Sequence, residues 1–237
     1  MRLIGCVNAY HDAALLARSL PALRRIVDLL VVADGVYAGF PVYDPRPYST
    51  DGSLDVAGEY ADVVVLPPFG DAGLRRPWAT EVEKRNAYLV GRPGDYYLVV
   101  DADEVVEVID GVIARAKISE RDDWLVMLKR IGESMVEYPI HRLFRHRDGI
   151  RYHGTHHAVH VGEPPALIHP SGLEADAPAS VFPGLRLAHL WNQRDQDRAE
   201  RKARYYQDVL VPSETEFRAR HGLGLKQDAP RRSKAGV

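Results

Sequence analysis

A single cysteine, Cys6, stands in 237 residues, so no disulfide can form within the chain. That fits a reducing compartment. No apolar run approaches the roughly 18 residues needed to cross a bilayer. The opening RLIGCVNAY is too short and too quickly polar for a signal peptide. A cytoplasmic protein is therefore expected. An excess of charge is also missing. The 31 Lys and Arg nearly balance the 33 Asp and Glu, for a formal net charge of −2. Such a chain as a whole is not strongly drawn to nucleic acid or an anionic membrane. No internal repeat is visible, and no Gly-rich phosphate loop stands near the N-terminus.

What the chain has is apolar content, 46% of its residues, which is enough to bury one large domain. Short apolar runs at Leu3 to Val7, Leu29 to Ala33, Val63 to Leu66 and Tyr96 to Val100 read as strands. Between them, Ala13 to Ile26, Leu54 to Tyr60 and Ala79 to Val90 read as helices. All-apolar strands alternating with helices predict an α/β fold with a mostly parallel central sheet flanked by helices. After about residue 110 the pattern changes. Trp124 to Ile131 reads as a strand, and Arg142 to Val161 as a smaller antiparallel region. Glu163 to Pro183 reads as a loop, and Asp195 to Val209 as a charged helix. The expected domain is 1–221, with halves 1–107 and 108–221, followed by a disordered basic tail, 222–237.

The stretch YYLVVDADEVVE, Tyr96 to Glu107, poses a question. Asp101, Asp103 and Glu104 put three carboxylates within four positions, where a buried strand leaves the core. Crowded carboxylates repel unless something neutralises them. In open α/β sheets, ligands bind beyond the carboxyl ends of the strands. A hard divalent cation, Mn2+ or Mg2+, takes oxygen ligands and bridges to phosphates. A solvated acidic turn is the plain alternative.

Five segments in order resemble the family 2 glycosyltransferases, whose nucleotide-sugar-binding fold is called GT-A. CVNAYHDAA (Cys6 to Ala14) looks like that family's first strand and turn. LLVVADG (Leu29 to Gly35) looks like its second strand. STDGSLDVAGEYAD (Ser49 to Asp62), WATEVEKRN (Trp78 to Asn86) and DADE (Asp101 to Glu104) are similar to its Ser-Thr-Asp-Gly, Lys-Arg-Asn and Asp-x-Asp segments. One departure stands out. Val36 to Tyr48 intervenes between two segments that are usually nearly contiguous.

The resemblance implies a metal-dependent, inverting transfer of a sugar from a UDP-, GDP- or dTDP-linked donor to an acceptor hydroxyl. It implies Asn8, Tyr10, Asp12, Asp34, Lys84, Arg85, Asn86, Asp101 and Ala102 as nucleotide-sugar contacts. Asp101 and Asp103 are implied as metal ligands. His189, in LAHLWNQ (Leu187 to Gln193), is the residue expected to complete that site. A buried histidine in a strand is the alternative for His189, and plain packing for Trp191. For Lys84 and Arg85 the alternative is a solvated helix face.

HRLFRHRDGIRYHGTHHAVHV, His141 to Val161, holds six histidines. On a helix, His153, His156, His157 and His160 would share a face and suggest zinc. Gly154, Thr155 and Val159 point instead to a strand, which splits them between two faces. The segment is similar to the family's Arg-Leu-Phe-Arg stretch and its Gly-x-x-His-Glu turn, with Ala158 where Glu is usual. His156, His157 and Asp148 are the candidates for general base, with Glu163 behind them. The arginines of 142–151, 194–204 and 231–234 suggest a basic surface, which admits a nucleic-acid or anionic-lipid acceptor. Three further readings stay open. They are a nucleotidyltransferase, which usually carries the Gly-rich loop missing here, a histidine-rich metal-binding or hydrolytic protein, and a catalytically dead sugar-nucleotide binder.

Overall fold

The computed structural model describes residues 1–40, 44–131, 137–153, 159–161, 166–167, 180–190 and 196–220. The chain runs β1 (Leu3–Ala9), α1 (Ala13–Arg24), β2 (Leu29–Asp34), α2 (Ser53–Tyr60), β3 (Val63–Val65), α3 (Glu81–Ala87) and β4 (Tyr96–Asp101). This is the alternation that the apolar runs predict, with ends shifted by no more than three residues. There follow β5 (Glu104–Val108), α4 (Gly111–Lys117), a 3-10 turn (Ile118–Glu120), β6 (Asp123–Arg130) and β7 (Glu137–Arg145). Last come β8 (Arg151–Tyr152), β9 (Val159–Val161), β10 (Ala166–Leu167), β11 (Val181–His189), α5 (Gln196–Tyr205), a π-helical stretch (Tyr206–Leu210) and α6 (Val211–Arg220).

Eight strands form one sheet in the order β3-β2-β1-β4-β7-β6-β11-β5, and β8 to β10 form a second, small one. Within the large sheet, β1 pairs in parallel with β2 and β4, β2 with β3, and β6 with β11. β7 runs antiparallel to β4 and β6, and β5 antiparallel to β11. The sheet is thus parallel in its first half and mixed beyond β4. Chain length explains the change. Only residues 131–136 separate β6 from β7. A parallel connection needs a dozen residues or more, whereas an antiparallel one does not. The antiparallel pairing expected within 142–161 is present as β8 with β9.

Both faces of β1, β2 and β4 are covered, as all-apolar strands require. Alternate residues of β1 go to opposite cores. Leu3, Val7 and Ala9 pack with Leu16, Leu20 and Leu23 of α1. Ile4 and Cys6 pack with Tyr88, Tyr97, Val99 and Phe144 on the other side. Leu16, Leu20 and Leu23 are fully buried, and each such side chain contributes roughly 1.5–3 kcal/mol. Thr80 caps α3, its hydroxyl accepting from Glu83 N at 3.0 Å, and the Glu83 carboxylate returns to the Ala79 N–H. That cap fixes where α3 starts and therefore which residues it aims at the strand ends. Among the described residues no helix is long and apolar enough to cross a membrane.

Candidate functional site

β1, β2 and β4 end side by side at Ala9, Asp34 and Asp101. A cleft opens there, lined by Asn8, Tyr10, Asp12, Glu81, Arg85 and Asp101 and walled by Tyr37, Phe40 and Lys202. It encloses about 40 Å³ of free space, room for a few waters.

The expected contacts fall into two groups. Asn8, Tyr10, Asp12, Lys84, Arg85 and Asp101 line the cleft. Asp34, Asn86 and Ala102 hold its frame. Asp34 is buried and accepts from Ser49 N at 2.8 Å and Ser49 Oγ at 2.5 Å, so it ties the Ser-Thr-Asp-Gly segment to the end of β2. Burial raises its pKa, opposed by the nearby Lys84 ammonium and by the bonds from Ser49. Asn86 clamps the β8 backbone, donating to Tyr152 O at 2.9 Å and accepting from Tyr152 N at 2.7 Å. Ala102 is fully buried in the core. After Asp34 only glycine fits. Gly35 has φ 109°, and a Cβ there would stand 2.3 Å from Pro67 Cγ.

Lys84 and Arg85 do not lie on a solvated face. Both are buried by α3. Lys84 Nζ donates to Ala9 O and Gly35 O, each at 2.6 Å, and so joins the ends of β1 and β2. Burial pushes its pKa down to about 8, against the upward pull of Asp34, Asp12 and Glu81. Arg85 donates from Nη2 to Glu81 Oε1 and Asp101 Oδ1, both at 2.9 Å.

Arg142 resolves much of the crowding at Asp101 to Glu104. Its Nη2 donates to Asp101 Oδ2 and to Glu104 Oε1, each at 2.7 Å. Burial would raise the Asp101 pKa, but Arg142 and Arg85 outweigh it and hold Asp101 well below the usual carboxylate range. For Glu104 burial wins, and its pKa is raised. The arginine stretch expected to form a basic surface therefore begins with an inward cation. Two others, Arg145 and Arg147, pair with Asp122 at 3.1 and 2.8 Å. Six carboxylates still gather here, Asp12, Asp34, Glu81, Asp101, Asp103 and Glu104, against Lys84, Arg85, Arg142 and Lys202. That leaves an excess of two negative charges for protons or a bound cation to answer.

Asp103 is buried, and its Oδ2 lies 3.0 Å from Nε2 of His189. The β5–β11 register makes this contact, because it sets His189 opposite Glu104. His189 Nδ1 is buried without a hydrogen-bond partner among the described residues. One carboxylate and one imidazole fit a divalent cation that takes its remaining ligands from substrate phosphates and water. The imidazole favours manganese over magnesium, the harder and more oxygen-demanding ion. Among the described residues no group of three or more His, Cys, Asp and Glu is placed to hold a metal by itself.

Asp148 is not brought to this end. It follows β7, whose Arg145 pairs with Tyr96 at the opposite end of β4. His156, His157, Ala158, Glu163, Trp191 and the tail 222–237 lie outside the described residues. Sequence reasoning missed Arg142, Glu81, Ser49 and the Tyr37–Phe40–Lys202 wall as parts of the site. For Arg142 a signal was present, since buried acids demand a cation and Arg142 stands in a strand-like stretch.

No protein-family model matches the chain, and no curated protein matches it. Among solved structures the chain is similar to "S. aureus TarS", with a TM-score of 0.41 and 20% identity over 57% of this chain and 23% of that one. It is also similar to "S. aureus TarS 1-349 in complex with UDP-GlcNAc", with a TM-score of 0.41 and 20% identity over 57% of this chain and 37% of that one. For the complex with UDP the values are 0.40 and 20%, over 57% and 38%. The chain spans well under half the length of these structures.

Proposed function

We propose that this chain is a glycosyltransferase of GT-A type, moving a sugar from a nucleotide-diphosphate sugar to an acceptor hydroxyl. One observation carries the reading. Asp103 and His189, which the resemblance marks separately as metal ligands, meet at 3.0 Å although 86 positions separate them. They meet beside the carboxyl ends of parallel strands, where α/β sheets bind nucleotides.

The roles follow from the geometry. Asp101, held ionised by two arginines, is an acceptor for a ribose hydroxyl. Tyr37 and Phe40 offer aromatic faces to a base. Arg85 and Lys84 fix the cleft walls, Lys84 through the carbonyls of Ala9 and Gly35. Asp103 and His189 are the residues to hold manganese or magnesium, which stabilises charge growing on a leaving diphosphate. Transfer is proposed to invert the anomeric carbon, with a base drawing the proton from the acceptor. His156 and His157 are proposed for that base.

The test is calorimetry of the purified chain with UDP, GDP and dTDP and their sugars, with and without manganese, followed by slow donor hydrolysis. One nucleotide should bind with manganese-dependent affinity, and its sugar should be released. If no nucleotide binds under either condition, the reading is lost.

A further inference from the structure

At the other end of the sheet lies a cavity of about 220 Å³. Leu3 opens β1 there, and Ile26 follows α1, so it is remote from the cleft. Its wall is apolar, built from Leu3, Ile26, Ala114, Ile118, Phe182 and Leu185. Native cores leave few voids larger than a water. This one exceeds the roughly 150 Å³ of an engineered cavity that stays dry and takes up benzene. Left empty, it forfeits contacts along its whole lining.

Two features say what would fill it. Arg25 and Arg115 stand at its wall. Arg115 is paired with Asp28 at 3.0 Å. Arg25 is exposed, and its side chain makes no hydrogen bond or ion pair to a described residue. An apolar interior with a cation at its wall suits an alkyl chain that ends in an anion. The cover, α4, is thin. None of its residues is buried, and Val112 is 80% exposed. Asp110 caps it, and Gly184 lets it close, since a Cβ there would lie 2.5 Å from Ala114 Cα. A helix with so little burial lifts at low cost, which gives a route in.

We propose that this cavity binds a free medium-chain carboxylate, with the chain inside and the headgroup against Arg25 and Arg115. Scaling from benzene's six carbons in roughly 150 Å³, the chain has about eight or nine carbons. The site is separate from the proposed nucleotide cleft and does not depend on that reading.

Trp124 supplies the readout. Its Nε1 donates to Ile118 O at 3.1 Å, and its ring meets Phe182 at 5.2 Å, so it packs behind two lining residues. The experiment is a fluorescence and calorimetric titration of the full chain with octanoate, hexanoate and 1-octanol. Octanoate should saturate one site and shift Trp124 emission. Hexanoate, two methylenes shorter, should bind about fifteenfold more weakly, at roughly fourfold per methylene. Arg25→Gln should remove the preference for octanoate over 1-octanol and keep uptake of the alcohol. Ile26→Trp fills the cavity and should abolish both. Gly111→Leu is the second filling variant, in case the first fails to fold by circular dichroism. Saturation by octanoate undiminished in a folded filling variant, or no saturation in the wild type, overturns the proposal. Sedimentation with anionic phosphatidylglycerol vesicles but no response to monomeric octanoate also overturns it, because the face would then be a membrane contact.

Discussion

Arg142 reaches Asp101 from the neighbouring strand and donates to Oδ2 at 2.7 Å, while the same nitrogen serves Glu104 Oε1. One buried guanidinium thus holds two of the three carboxylates clustered at the end of β4. Arg142→Met should leave Glu104 unanswered in a buried site and Asp101 with Arg85 alone. Breaking a buried pair from one side costs about 3–5 kcal/mol. Urea denaturation should show a loss of that order, and Arg142→Lys should rescue only part of it, since a point ammonium cannot reproduce the planar fork. Stability within about 1 kcal/mol of wild type would show that the pair is dispensable.

Asn86 bonds both backbone groups of Tyr152. Its role is therefore to dock β8 on α3. Asn86→Ala should cost about 1–3 kcal/mol, because it strands a buried donor and acceptor. Nucleotide affinity, measured on the folded variant, should stay within twofold. A tenfold loss of affinity at unchanged stability would return Asn86 to the nucleotide.

These two residues mark where the sequence was legible and where it was not. The order of strands and helices through β4 could be read because all-apolar runs of strand length have few other fates. The strand-end positions of Asp34 and Asp101 followed from the same runs. Which partner each polar side chain takes did not, because it depends on neighbours far along the chain. Asp34 faces Ser49, Arg142 faces Asp101, and Lys84 turns inward to two carbonyls. The small elements β5 and α4 left little trace. β5 is short and charged, and α4 has no buried face to impose a pattern.

Lys84 carries a pH signature. Folding lowers its pKa from 10.5 to about 8. Above pH 8 the folded chain has released this proton and the unfolded chain still holds it. The unfolded state then binds more protons, so stability from this group rises with pH. The rise begins near 8 and is complete above about 10.5. Half-buried Tyr37 and buried Tyr88 and Cys6, with raised pKa values, act oppositely at high pH. The measurement is therefore a difference. The stability of wild type over Lys84→Met should widen across that window and be flat from pH 6 to 7. A flat difference throughout would contradict the depressed pKa.

Asp103 and His189 should act together. Manganese should tighten nucleotide binding in the wild type and do so far less in Asp103→Ala. Loss of an outer-shell partner costs 10- to 100-fold in metal affinity, and loss of a direct carboxylate should cost at least the upper figure. His189→Ala, which removes the other direct ligand, should cost a comparable amount. Added to Asp103→Ala it should cost little more, because residues sharing one ion are not additive. Unchanged manganese dependence in both single variants would place the ion elsewhere.

The cleft as it stands encloses little free space for the ligand proposed for it, and Tyr205 packs behind its aromatic wall. Its ring is buried, 4.8 Å from Tyr37 and 5.6 Å from Phe40, and one turn before it Lys202 lines the cleft. Val209, a turn further on, faces Gly39, where a Cβ would lie 3.3 Å from its Cγ2. This aromatic seam holds α5 down as a roof. If the roof must shift for a nucleotide to enter, the apparent affinity is reduced by the scarcity of the open state. Each aromatic pair contributes about 0.5–1.5 kcal/mol beyond burial. Tyr205→Ala removes the two pairs that reach the cleft wall, about 1–3 kcal/mol together, and should raise nucleotide affinity about fivefold or more. Hydrogen exchange should report the same event, with amides of 201–209 exchanging faster when nucleotide is added to the wild type. Weaker binding by Tyr205→Ala, together with slower exchange in 201–209, would mean that the seam is a wall of the bound state and not a barrier to it.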